Sequence, residues 1–150
     1  MNEYESAGLI QLLLLIPFLA VGILFLWSQH KTLTLIRPEY RRMPPGQVWL
    51  QLIPLFGLGW QFYVISKISD SIRDDLNAPS GDSILGEDPL PTGKRPTYNT
   101  GISYAVLFCL TILPLGLLKS LLALAGLILW IIYWIELSGY TRRFKQRAFQ

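Results

Sequence analysis

Glu136 stands near the end of a long apolar run, and an ionised side chain at membrane depth is costly enough to mark a functional position. It lies one turn before Tyr140, so a bend at Gly139 would bring Arg142 or Arg143 back to its carboxylate. That pairing makes either an interfacial ion pair or, in the sharper reading, a proton or cation site. Gln11, Gln51 and Gln61 are the other polar groups placed to lie within apolar segments, where helix-to-helix hydrogen bonds worth ~1 kcal/mol or less account for them. Ser28 with His30 has nucleophile and base at i, i+2 but no orienting acid nearby, and the adjacent Asp74 and Asp75 point to different sides of a helix. Asp82, Glu87 and Asp88 lack the ligand spacing of a calcium loop. His30 and Cys109 are the only residues of their types, which excludes a His/Cys zinc or haem site and an intramolecular disulfide. No Gly-rich phosphate loop occurs. The expectation is therefore a non-enzyme without catalytic, cofactor or metal residues.

The cations are better placed. Lys31, Arg37, Arg41 and Arg42 crowd a proline-punctuated connector over residues 28–46, and Arg142 and Arg143 follow the last apolar run. These six are candidate contacts to anionic lipid headgroups, each charge contributing ~1 kcal/mol near the surface. Their simpler role is to set topology.

The elements that must carry these residues are apolar helices. Hydrophobic residues make up 51% of the 150, with a mean hydropathy of +0.38, more apolar surface than a soluble domain of this size hides. A net charge of +3 does not point to nucleic acid. The fold class is all-α: a polytopic helical membrane protein with about four hydrophobic segments. The first, Ala7–Trp27, is about 21 residues and matches a hydrocarbon core of ~30 Å. Glu3 and Glu5 replace the positive n-region of a cleaved signal peptide. The second, Val48–Ile65, is broken by Pro54, Gly57 and Gly59, then continues as an amphipathic helix whose stripe is Leu58, Phe62, Ile65, Ile68, Ile72 and Leu76. That helix suits either an interface or packing on another element. Residues 77–101 read as an exposed Pro/Gly-rich loop. From Ile102 to Leu137 two helices fit, turning at GLLKS around Lys119, with Gly116, Ser120, Ala123 and Gly126 as close-packing positions.

Two topologies compete. Four crossings divide the basic residues eight to five, only a weak bias. Three crossings plus a re-entrant or interfacial hairpin over residues 48–65 put all but Lys119 of the 13 Lys and Arg on one side, the cleaner fit to the positive-inside rule. This second arrangement is preferred, with the C-terminus cytoplasmic. Helical spans favour a bacterial inner membrane over an outer one.

The run MPPGQVWLQLIPLFGLGWQF followed by ISDSI resembles a pattern in small bacterial multi-helix membrane proteins of uncharacterised function, over residues 37–76. The resemblance implies a small helical membrane fold and transfers no catalytic residue. The function expected from all of this is a non-catalytic scaffold or accessory subunit of a membrane complex, with lipids and a protein partner or second copy as its contacts. The alternative is a homo-oligomeric channel or transporter-like protein.

Overall fold

The computed structural model describes residues 3–78 and 93–149, and they are helical, with no strand among them. Four α-helices carry the fold: α1 Glu3–Leu35, α2 Phe56–Leu76, α3 Tyr98–Leu110 and α4 Leu117–Ala148. Short 3-10 segments cover Pro38–Tyr40 and Pro45–Leu52. Two of the helices, over Gly8–Leu35 and Leu117–Ala148, are long and apolar enough to cross a membrane.

Proline and glycine set the element ends. Residues before proline avoid helical backbone, and α1 stops just ahead of Arg37, which is extended before Pro38. Arg41 then caps that end, donating to the Thr34 and Ile36 carbonyls that the last turn leaves free. Pro44 and Pro45 open the second 3-10 segment, and an extended Ile53 before Pro54 closes it. The chain reverses through Leu55 at φ +63° into α2. Gly116, at φ +54°, allows the equally tight reversal between α3 and α4.

The contacts fix the directions. Phe25 packs on Trp130 and Trp134, and the Thr32 and Thr141 hydroxyls share a 2.7 Å hydrogen bond, so α1 and α4 run parallel. Thr100 meets Glu136 while Phe108 meets Gly126, so α3 is antiparallel to α4. Ser69 donates to the Pro96 carbonyl and Gln61 reaches Cys109, so α2 is antiparallel to α3. The segment 45–76 is a hairpin: Trp60 Nε1 donates to the Gln47 carbonyl and Gly57 abuts the Gln51 backbone. Residues 47 and 60 therefore lie side by side, and α2 runs on past them to meet Arg42 and Arg37.

The buried core fills only one end of this bundle. Leu33, Ile36, Val48, Val64, Ile65, Ile68, Ile72, Tyr104, Tyr133 and Leu137 are buried. Ile65, Ile68 and Ile72 belong to the stripe expected on α2, and they pack inward against protein. From Leu9 to Leu24 the described large apolar side chains of α1 are exposed, with Leu13 66%, Ile16 59% and Phe18 74%. Three expectations shift in detail. The α3–α4 turn falls at Thr111–Gly116, ahead of GLLKS, because Pro114 ends one helix and Gly116 begins the next. The helix α3 starts at Tyr98, inside the stretch expected to be loop, and Gly101 is buried against Ile65 and Tyr133. The expected bend at Gly139 is absent, and α4 continues through the basic tail to Ala148.

Candidate functional site

The polar end of the bundle is built around α2. Asp75 falls three residues after Ile72, on the buried face of its helix, so its carboxylate points into the fold. Its side chain is 0% exposed. Arg37 Nε donates to Asp75 Oδ1 at 2.6 Å, and Arg37 Nη2 donates to the Asp75 carbonyl at 2.9 Å. From the opposite direction, Arg147 Nη2 donates to Oδ2 at 2.6 Å. One carboxylate thus joins the connector after α1, the end of α2 and the end of α4.

A second contact runs alongside it. Arg42 Nε donates to Asp74 Oδ2 at 2.5 Å and the Arg42 backbone N–H donates to Ser71 Oγ at 2.8 Å. Burial pushes the Asp74 carboxyl up, but hydrogen bonds from Arg42 and Arg73 outweigh it and hold the group below the usual carboxylate range. A carboxylate so lowered adds stability above its unfolded pKa of about 4, and that contribution drains away as pH falls through the lower folded value. Thermal melts in detergent should therefore lose stability below about pH 4, and Asp74→Asn should flatten part of that loss. A wild-type and variant profile that fall in parallel would show that Asp74 carries none of it. Burial lowers the Arg37 guanidinium pKa, while its contact with Asp75 outweighs that and leaves the group above its ordinary value, so this cation stays charged throughout.

A third acid, Asp70, holds Arg95 through two bonds of 2.9 and 3.1 Å, while Arg95 Nη2 also reaches Ser66 Oγ at 2.7 Å. Arg95 lies 3.7 Å over the Tyr98 ring. This fixes the chain just before α3 against α2.

The six cations proposed as headgroup contacts therefore have different surroundings. Arg37 and Arg42 are engaged with α2 carboxylates, and Arg41 caps α1. Lys31, Arg142 and Arg143 are exposed at the same end, Arg143 over the Tyr140 ring. Among the polar positions, Gln51 Nε2 donates to Gln29 Oε1 at 2.7 Å, Gln61 lies 3.9 Å from Cys109 Sγ, and Glu136 accepts from Thr100 Oγ1 at 3.1 Å. Gln11 is exposed on the bare part of α1. His30 Nδ1 donates to the Pro45 carbonyl, which accounts for this histidine structurally. Asp82, Glu87 and Asp88 lie outside the described residues.

Sequence reasoning missed the interior polar groups. Gln29 is four residues after Phe25 and four before Leu33, so core periodicity already placed it inside. Tyr133, Tyr104 and Thr97 are also buried, and the Tyr133 hydroxyl faces Gln29 and Thr97 in the interior. Between the start of α3 and α4 opens a cleft of about 710 Å³, with Lys94, Thr97, Glu136, Tyr140 and Arg143 in its walls.

The five tryptophans, scattered in sequence, meet at one level. Trp130 and Trp134 surround Phe25; His30 stacks on Trp27 and touches Trp49; Trp60 bonds beside Trp49 at Gln47. Among the described residues no three His, Cys, Asp or Glu side chains gather as a metal site would need. Comparison with protein-family models, with curated proteins and with solved structures finds no match to the chain.

Proposed function

We propose that this chain is an integral membrane protein that works as a non-catalytic scaffold or accessory subunit. Helices α1, α3 and α4 cross the bilayer, and the hairpin over residues 45–76 enters and returns on the cytoplasmic side. The observation that carries the reading is the all-round exposure of large apolar residues along α1 from Leu9 to Leu24. Water would penalise a patch of that size heavily, and lipid does not. The tryptophan level supports a membrane boundary there, because indole rings favour the headgroup region. Beyond it, α4 from Leu117 to Ile135 is ~28 Å long, the thickness of a hydrocarbon core. The turn Thr111–Gly116 carries no charge, which lets the short α3 complete its crossing.

The same arrangement supports a bacterial inner-membrane orientation with the basic end, including the C-terminus, in the cytoplasm. Between the two functional readings, the inward direction of Gln51 and Gln61, toward Gln29 and Cys109, favours the scaffold over a homo-oligomeric channel lined by those glutamines.

Single cysteines test this reading. In a Cys109→Ser background, Glu39→Cys and Asn77→Cys should both be shielded from an impermeant maleimide in intact cells, while Lys119→Cys should react. Opposite behaviour at positions 39 and 77 would end the re-entrant arrangement, and release of the chain by buffer without detergent would end the membrane reading. A stoichiometric partner should copurify from native membranes, and liposomes loaded with the chain should show no ion flux; a monomer without partners would sink the scaffold.

A further inference from the structure

Phe25, Gln29 and Thr32 mark the seam along which α1 packs into the bundle, and all three are buried. Their spacing of four and then three residues continues backward without a break through Gly22, Phe18, Leu15 and Gln11. Such an alternation keeps one side of a helix turned toward a neighbour. Gln11 stands 18 residues before Gln29, five whole turns of an α-helix, so the two amides project from the same side of α1.

Only one half of this seam has its neighbour. Phe25 meets Trp130 and Trp134, and Thr32 bonds Thr141, all on α4. In the other half Gln11, Leu15 and Phe18 are exposed, and a Cβ added to Gly22 would meet nothing within 4 Å. The side of α4 that carries Trp134 and Trp130 continues backward through Leu127, Ala123 and Ser120, of which Leu127 and Ser120 are exposed. The two helices therefore part beyond Phe25 and leave an open wedge between their amino-terminal halves.

Gln11 decides what fills the wedge. On the membrane reading above it lies 14 residues, ~21 Å, from Phe25 and its tryptophans, inside a hydrocarbon core of ~30 Å. Acyl chains cover apolar walls but offer nothing to an amide, which then bears the cost of unmade hydrogen bonds. A second copy supplies the missing group at the right depth. Two copies inserted in the same direction are related by a two-fold axis along the membrane normal, so each seam residue meets its own counterpart. A glutamine amide both donates and accepts, which makes it complementary to itself. One such polar residue in an apolar seam also fixes register and pair number. The small side chains of Gly22, Ala123 and Ser120 leave room for the incoming helix.

We infer that the chain forms a two-fold dimer in which the α1 seam from Gln11 to Gly22 lies against the same seam of a second copy, with the two Gln11 amides bonded across the axis. This names the partner of the scaffold proposed above and rests on its membrane placement.

Oxidative cross-linking of single cysteines in native membranes, in a Cys109→Ser background, tests the seam. Leu15→Cys, Phe18→Cys and Gly22→Cys should yield covalent dimer, and Leu13→Cys and Ala20→Cys, on the opposite side of α1, should yield several-fold less. Photobleaching steps of the labelled full chain, diluted through liposomes, measure the strength of pairing. Gln11→Leu should weaken it about fivefold, the value of one interhelical hydrogen bond, and Gln11→Asn, which keeps the amide, should restore most of the loss. Gln11 is exposed within its own chain, so the tryptophan-detected melt in dilute detergent should not move in either variant. Equal cross-linking on both sides of α1, or pairing unchanged in Gln11→Leu, overturns the dimer. Cross-links from positions 15, 18 and 22 to a different protein overturn self-pairing and leave the scaffold standing. A membrane-embedded monomer ends the dimer alone, whereas a chain that stays in plain buffer ends the membrane reading beneath it.

Discussion

Asp75→Asn is expected to destabilise the chain by about 3–5 kcal/mol, the cost of removing one partner from a buried ion pair. The side chain keeps its size, so packing is preserved and the change is electrostatic. Arg37 and Arg147 are each 26% exposed in their side chains, which lets water recover part of their solvation and draws the expected cost toward the lower end of that range. Arg37→Met and Arg147→Met should each cost less, because the carboxylate keeps its other arginine. The melting temperature in detergent, followed through the tryptophans, should drop by on the order of 10 °C for Asp75→Asn. If Asp75→Asn and Arg37→Met act on the same contact, their combination should cost clearly less than the two changes summed. Additive losses would mean that the three chain segments are held at this end by packing alone. The outcome bears on topology too, because this one carboxylate ties the connector, α2 and the α4 tail to a common side.

Much of this architecture could be read from residue type and spacing. Long unbroken apolar runs dictated α1 and α4, and the 3.6-residue stripe on α2 announced a helix with one buried face. The prolines and glycines between Val48 and Trp60 announced a break there, and residues 45–60 do double back on themselves. What eluded the sequence depends on distant pairing. Asp74 and Asp75 look like two equivalent solvated acids, and only the arrival of Arg37, Arg42 and Arg147 gives each a different neighbourhood. The register was nonetheless visible, since Asp75 continues the Ile68 and Ile72 stripe while Asp74 departs from it. Thr97 was hidden within a stretch whose proline and glycine content reads as loop. No local signal marks the place where α3 begins, because its start is imposed by Arg95 locking onto Asp70 and by Gly101 fitting against Ile65 and Tyr133. The tryptophan level was half visible: Trp130 and Trp134 end an apolar run, whereas Trp49 and Trp60 reach the same level only because the hairpin folds back.

Gly57→Ala should damage the hairpin more than any other single methyl added to the chain. A Cβ at Gly57 would run into the carbonyl of Gln51, a backbone group with no rotamer to change. Overpacking in a site that can relax costs about 1–3 kcal/mol, and a collision with backbone belongs at or beyond the upper end. The same residue anchors the turn, where the Gly57 N–H donates to the Ile53 carbonyl at 2.7 Å. Relief therefore requires the 3-10 segment to move away from α2. That movement would break the Trp60 bond to Gln47 and expose Gln51, whose amide is otherwise held by Gln29. Gly59→Ala is the matched control: a Cβ there meets nothing within 4 Å, and alanine favours helix over glycine by up to ~1 kcal/mol. Gly59→Ala should thus melt at or above the wild type while Gly57→Ala melts well below it, with a change in tryptophan emission as Trp60 loses its partner. Equal melting of the two variants would mean that residues 45–52 do not lie against α2, and the returning hairpin would have to be abandoned.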